Sequence, residues 1–398
     1  MYLLYVCVFW RRELNPLESY RAILESHRRN KTGGGIFILG GSLKLHAANM
    51  MTSSTTGKLR WAWISLRIAF LFFAAAGIQA QQKPLTLRVG YFPNLTHAQA
   101  LVGRAGGQFD KALGPGVQIE WKAFNAGPSE IEAMFANAID LAYVGPNPTV
   151  AGYVRSQGEA VRVIAGAASG GASLVVRQGA GIQKAADFHG KKVATPQQGN
   201  SQDVALRAWL RANGMKPREK GGDVQVLPIT NADQFTLFLK GQLDASWAPE
   251  PWAARLVHEA GGRIFLDERD LWPNREFVIT NLIVRPKFLK EHPDAVKNFL
   301  RAHVELTDWI DKNPAQAKQI LNQQLQKETG KPLAADVLDD AFSRMAVTYD
   351  PIRSSLLIST QRAFEEGFLG RTQPDLSGLY DLTLLNEVLR EKKARPVQ

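Results

Sequence analysis

The sequence predicts an α/β protein built as two similar lobes, with mostly parallel sheets, two hinge crossings and a helical C-terminal segment. Three observations carry this expectation. From residue 84 onward, apolar runs of strand length alternate with stretches whose apolar residues recur at helical spacing, the pattern of a parallel sheet wrapped by helices. The same series of units then recurs between residues 192 and 259. Finally, Ile139-Asp-Leu-Ala-Tyr-Val-Gly-Pro-Asn-Pro148 is echoed, with one gap allowed, by Leu243-Asp-Ala-Ser-Trp-Ala-Pro-Glu-Pro251. Each copy ends a buried strand in a Pro-x-Pro turn, where the first proline stiffens the exit and the second suits an opening helical turn that needs no N–H there.

In the first lobe the expected strands are Leu85–Tyr91, Val117–Phe124 and Ile139–Val144, each followed by a helix, at Ala98–Phe109, Ser129–Asn137 and Pro148–Ser156. The second lobe repeats this with strands Lys192–Thr195, Val224–Pro228 and Leu243–Trp247 and helices Ser201–Ala212, Ala232–Leu239 and Pro251–Glu259. A second pair of echoes, Leu174-Val-Val-Arg177 and Leu282-Ile-Val-Arg285, reads as the two hinge strands. Lobe 1 is then 84–177 plus 286–398, and lobe 2 is 178–285 with its return strand. The segment 287–398 reads as almost wholly helical, wrapping lobe 1.

The formal charge of +11 raises the question of a nucleic-acid partner. The first 80 residues hold ten Lys/Arg against three Glu, so only +4 remains on the other 318, too little for a phosphate-binding footprint. Within 51–80, Lys58, Arg60 and Arg67 form a basic region and Ile68–Ile78 an apolar one ahead of Ile78-Gln79-Ala80, the layout of a cleaved secretory signal. Eleven apolar residues are too few to span a bilayer. A signal so far from the start suggests that translation begins near Met51 and that residues 1–50 are a mistranslated upstream segment. They contain the single cysteine, Cys7, which leaves the exported part without thiol, disulfide or lipid-anchor cysteine. A free, exported protein of this kind suits a periplasm.

In open α/β sheets ligands bind outside the carboxyl ends of the strands, so two facing sheets make a cleft whose walls are the strand-to-helix loops. Five loops fall there, and they supply the candidate ligand-binding residues: Asn94, Thr96 and His97; Gly145 and Asn147; Ser169 and Gly170; Gln198, Asn200 and Ser201; Trp247 and Glu250. The strand-glycine-polar run at Thr195-Pro-Gln-Gln-Gly-Asn-Ser-Gln-Asp203 is the richest, because the free N–H groups and dipole of a helix start favour an anionic oxygen; Asp203 inside the first turn already uses some of that field, and Asn200 or Ser201 as a structural cap alone needs no ligand. His97 either donates to an oxyanion or caps the first helix. Trp247 either stacks on a ligand or is core. Glu250 either faces the cleft, where it would repel a bare sulfonate and suit an amine, or is a helix N-terminal acid in solvent. No Lys or Arg lies in these loops, so an anion would be held by neutral donors.

Leu87-Arg-Val-Gly-Tyr-Phe-Pro-Asn94 with His97, Glu130 through Gly145-Pro146, Gly190-Lys-Lys-Val-Ala-Thr-Pro196 and Asp244 through Pro251 together resemble the periplasmic binding proteins of aliphatic-sulfonate, taurine and nitrate transporters, over about residues 84–385. The resemblance implies a type II periplasmic-binding fold, closure of the lobes on a ligand, and a permease of an ABC importer as partner, with the chain itself a monomer. It implies a small organic anion such as an alkyl sulfonate as ligand, with nitrate, or a pyrimidine or other vitamin precursor held by Trp247 and Glu250, as alternatives. No enzyme signature is present: there is no Gly-x-Ser-x-Gly, no Gly-x-x-x-x-Gly-Lys and no His-Glu-x-x-His, and the cysteine-rich iron motif of the pyrimidine-synthase relatives is missing. Neither a cofactor nor a metal is expected.

Overall fold

The computed structural model of the protein describes residues 84–398. The expectations for 1–50, for the signal at 51–80 and for Cys7 lie outside the described residues. In the first lobe, β1 (Leu85–Tyr91) turns Leu87, Val89 and Tyr91 into the core at alternate positions. It is followed by α1 (Ala98–Gly106) and α2 (Gln108–Leu113), which are separated at Gly107. Then come β2 (Val117–Ala123), α3 (Gly127–Phe135), β3 (Leu141–Val144), α4 (Pro146–Arg155) and β4 (Arg162–Gly170). The second lobe runs β5 (Ala172–Arg177), β6 (Lys192–Thr195), α5 (Ser201–Ala212), β7 (Gln225–Pro228), α6 (Asn231–Leu239), β8 (Ala245–Pro249), α7 (Trp252–Ala260) and β9 (Gly262–Asp267). The chain returns in β10 (Val278–Val284) and ends with α8 (Pro286–Glu291), α9 (Pro293–Lys312), α10 (Pro314–Thr329), α11 (Ala335–Ser343), β11 (Met345–Val347), α12 (Arg353–Glu365) and α13 (Thr383–Glu391).

The first sheet has the order β11-β4-β10-β3-β1-β2 and the second β7-β6-β8-β5-β9. Each is buried on both faces, by separate apolar clusters. β3 is accordingly buried along its whole length. The sheets are mixed rather than mostly parallel: β1 pairs in parallel with β2 and β3, and β6 with β7 and β8, whereas β10 and β5 run against both neighbours. These two strands enter their sheets from the opposite lobe, which reverses their direction.

That membership moves the expected boundaries. β5, with Leu174–Arg177, belongs to the second sheet, and β10, with Leu282–Val284, to the first. The crossings therefore lie at Gly170–Gly171 and in the segment 268–277. Both glycines have positive φ (73° and 78°), and a Cβ on Gly170 would stand 2.6 Å from the Arg344 carbonyl, so the tight passage between sheets needs residues without side chains.

The two echoes have a different meaning: they are the same site in two lobes. Asp140, at the start of β3, accepts from the Arg88 backbone N–H at 3.0 Å and from Nε and Nη2 of its guanidinium, both at 2.8 Å. It also pairs with Arg285 just past the end of β10, whose own N–H bonds the Asp140 carbonyl. Asp244, before β8, accepts from the Lys192 backbone N–H at 2.9 Å and pairs with Arg177 at the end of β5, whose N–H bonds the Asp244 carbonyl. In each lobe one aspartate ties a parallel neighbour to an antiparallel one.

The C-terminal segment departs from expectation in two ways. It contributes the strand β11, and it straddles both lobes instead of wrapping one. α9 does pack on the first lobe, with Phe299 stacked on Phe109 at 4.3 Å. α11 instead packs on α7 and α12 on α5, where Asp340 meets His258 at 2.8 Å and Glu366 meets Arg211 at 2.5 Å.

Burial alone would raise the Asp140 carboxyl, but the hydrogen bonds of Arg88 and Arg285 overcome it and hold the pKa below the ordinary value. The stabilisation is thus present above the unfolded carboxylate pKa and lost as pH falls through the lower folded one. Asp140→Ala should cost about 3 kcal/mol, since it leaves two guanidiniums without a counter-charge. Asp244→Ala, at a carboxylate whose side chain is 23% exposed, should cost about 1 kcal/mol. Urea unfolding of both variants at neutral pH checks the order.

Candidate functional site

Both sheets turn the carboxyl ends of their parallel strands toward one cleft. Because each such strand is followed by a helix, the cleft is rimmed by helix starts: those of α3 and α4 from the first lobe and of α5 and α6 from the second. The cavity between them measures about 410 Å³ with its mouth. First-turn N–H groups have no intrahelical acceptor and carry the positive end of the helix dipole, so the rim offers donors to an anion. Among its lining residues His97 alone is ionisable.

His97 is nevertheless no cation. Burial pushes its pKa down to about 3, which keeps the ring neutral at ordinary pH. Its Nδ1 accepts from the Phe92 backbone N–H at 3.2 Å, so the single ring proton sits on Nε2, the other edge of the ring. It does not cap the first helix. Asn200 caps α5 by accepting from the Asp203 N–H at 3.0 Å, and Asp203 in turn bonds Thr195, Gly199 and Arg207. Asp203 is therefore locked into the second lobe with its charge met there, which leaves the field of the α5 start to the cleft. Ser201 Oγ lies 3.4 Å from the Asn147 N–H across the cleft, and it would meet a Cβ placed on Gly145 at 2.6 Å. Close approach of the lobes thus uses a residue without a side chain on one wall and a small one on the other.

Of the residues singled out from sequence, Asn94, Thr96, His97, Gly145, Asn200 and Ser201 line this cavity. The others sit elsewhere. Asn147 turns into a second chamber, where its amide is held by Ser359. Ser169 and Gly170 end β4 at the crossing, and Gln198 is exposed. Trp247 is fully buried in the second lobe and donates to Glu268 at 2.7 Å, since a residue on a strand covered on both faces has no route to solvent. Glu250 is also fully buried, accepting from Arg344 Nε at 2.7 Å and the Ala254 N–H at 3.1 Å. It ties the α11–β11 connection to the second lobe and lends no charge to the cleft. Sequence reasoning passed over Asn125, Gln202, Asn231 and Thr280, which do line it. Asn231 stands out because it is 8% exposed and its side-chain oxygen has no partner. Among the described residues no group of His, Cys, Asp and Glu could hold a metal, and no helix is long and apolar enough to cross a membrane.

Two mixed sheets joined by short crossings, with helix starts around the space between them, define the class of two-lobed periplasmic-binding folds. The chain belongs to the NMT1-like family, whose model matches residues 80–323. A protein of Brucella abortus named only as a binding protein is 26% identical over 291 residues, covering 70% of this chain and 86% of its own. The taurine-binding periplasmic protein of Escherichia coli is 24% identical over 61% of this chain and 72% of its own. The alkanesulfonate-binding protein SsuA of Xanthomonas axonopodis, solved with MOPS bound, has the same fold at a TM-score of 0.61 and 18% identity, covering 75% of this chain and 97% of that one.

Behind the main cavity lies a second chamber that shares Ser201, Gln202 and Ile279 with it and contains Glu268 and Arg362. Burial raises the Glu268 pKa to about 7, against the opposing pull of the Trp247 hydrogen bond and the Arg362 charge. A carboxyl whose folded pKa exceeds its unfolded one stabilises fully below the unfolded value, and that contribution is lost as pH rises through about 7. Glu268→Gln keeps an acceptor for Trp247 but cannot ionise. Its stability relative to the unsubstituted protein should therefore shift in its favour by about 3 kcal/mol between pH 4.5 and pH 8. Urea midpoints across that range check it, and a constant difference contradicts it.

Proposed function

We propose that the protein is the solute-binding component of an ABC importer, exported to the periplasm, where it captures a small organic anion such as an aliphatic sulfonate and presents it to a membrane permease. The observation that carries this reading is a cleft rimmed by four helix starts and neutral donors, with no fixed negative charge to repel an anion. Hydrogen bonds to a charged ligand contribute about 1.5–3 kcal/mol each, so a handful from Asn94, Thr96, His97, Asn200 and Ser201 suffices without an arginine. The names of the relatives support the same class of ligand. A role as a binding protein rather than an enzyme, action as a monomer, and export through the signal at 51–80 belong to this reading. The vitamin-precursor alternative relied on Trp247 and Glu250, and both are buried away from the cleft.

Asn231→Asp tests the anion. The change is nearly isosteric and places an acid at a helix start, where the dipole tolerates it, so the fold should persist. Two like charges about 4 Å apart repel by about 4 kcal/mol at an effective dielectric of ~20. Affinity for ethanesulfonate, measured by calorimetry, should fall more than a hundredfold. Unchanged affinity would show that no anionic head sits in this cavity.

A further inference from the structure

A third space opens off the ligand cavity. It shares Phe92, Asn94, Asn125 and Asn231 with the main cavity and extends between the lobes to Phe124 and Trp252, with a volume of about 390 Å³ including its mouth. Its walls hold no ionisable residue. Phe92 and Phe124 are half-buried members of a first-lobe cluster, and Trp252 is half-buried against a second-lobe cluster, so both lobes present aromatic rings to one space.

Trp252 is held in place. Its Nε1 donates across the cleft to Asn94 Oδ1 at 3.2 Å, and the Arg255 guanidinium lies 4.8 Å from its ring centre. At the junction of the two spaces stands the Asn231 amide, buried with an unpartnered oxygen. A bare inorganic anion or a two-carbon sulfonate would sit in the main cavity and leave the rings unanswered. The inner chamber offers no comparable room for an apolar tail, because Glu268 and Arg362 stand in its wall.

We propose that the ligand is an anion carrying a flat, uncharged ring, its head in the main cavity and its ring in this aromatic space between Trp252 and the two phenylalanines. The proposal rests on the anion site described above, and it makes Trp252 a specificity-determining residue. Aromatic rings favour offset-stacked or edge-on contact with one another, and burying the ring adds to that.

The test is a calorimetric panel in which two heads, sulfonate and carboxylate, are each combined with a short alkyl or a phenyl tail: ethanesulfonate, benzenesulfonate, propionate and benzoate. The phenyl members should bind at least tenfold more tightly than the alkyl members with the same head. Trp252→Ala, and independently Phe124→Ala, should remove most of that preference; Phe124→Ala should leave the alkyl affinities within about threefold, whereas Trp252→Ala also releases Asn94 and is read on the preference alone. Circular dichroism and thermal melts confirm that both variants fold, and Phe124→Ala keeps the test open should Trp252→Ala fail to fold. Equal affinity for phenyl and alkyl tails, a ring preference that survives both substitutions, or no binding by any member overturns the proposal. Benzamide, which has the shape of benzoate without its charge, completes the panel: benzamide binding as tightly as benzoate would keep this space and sink the anion reading, so the two failures are distinguishable.

Discussion

The joining of parallel strands through helices governs this molecule. Once a parallel strand ends, its helix must begin on the same edge of the sheet and run back along its face. Two sheets set with those edges facing each other therefore gather helix starts around the space between them. The electrostatics of the cleft follow from topology before any side chain is chosen, and the side chains need only avoid spoiling it. Asp203 and Glu250 are the two acids of the candidate loops that could have done so, and both have their charge met inside protein, by Arg207 and Arg344.

The lobes are variations on one plan. β2-β1-β3-β10-β4 corresponds to β7-β6-β8-β5-β9, and Asp140 corresponds to Asp244. Even the aromatic three residues on from each aspartate is used alike: Tyr143 bonds His303 at 3.0 Å and Trp247 bonds Glu268 at 2.7 Å, each a buried polar tip given one partner. The plan diverges in the turns after β3 and β8, where Gly145 lines the cleft and Glu250 is turned away from it.

Much of this was legible in the sequence. Helix α5 reads to the residue because an asparagine cap and an acid in its first turn announce its start. The echoes that mark the aspartate clasps were visible too, but as text they could equally mark crossings, and only strand pairing distinguishes the two. β4 escaped notice because Arg162–Gly170 is rich in alanine and glycine, so its burial on both faces leaves no alternation to read. β9 is largely half-exposed, with a weak pattern for that reason. In the site, Asn125 and Asn231 were missed although the same sheet rule points to them. They follow β2 and β7, the outermost of the parallel strands in each sheet, and the loops after the inner strands drew the attention instead. Trp247 and Glu250 look like ligand groups in sequence, and their burial depends on neighbours far along the chain, Glu268 and Arg344.

The neutrality of the His97 ring has a consequence for how such a cleft would behave in different surroundings. A receptor that holds an anion with an arginine depends on a long-range attraction that dissolved salt weakens over about 8 Å at physiological strength. Here the attraction would come from N–H dipoles and a ring proton, which act over the length of a hydrogen bond, well inside that distance. Capture would then change little between dilute and saline media, at the cost of any electrostatic acceleration of encounter. Release would require no counter-ion to replace the departing ligand, because the empty cleft carries no charge of its own to satisfy.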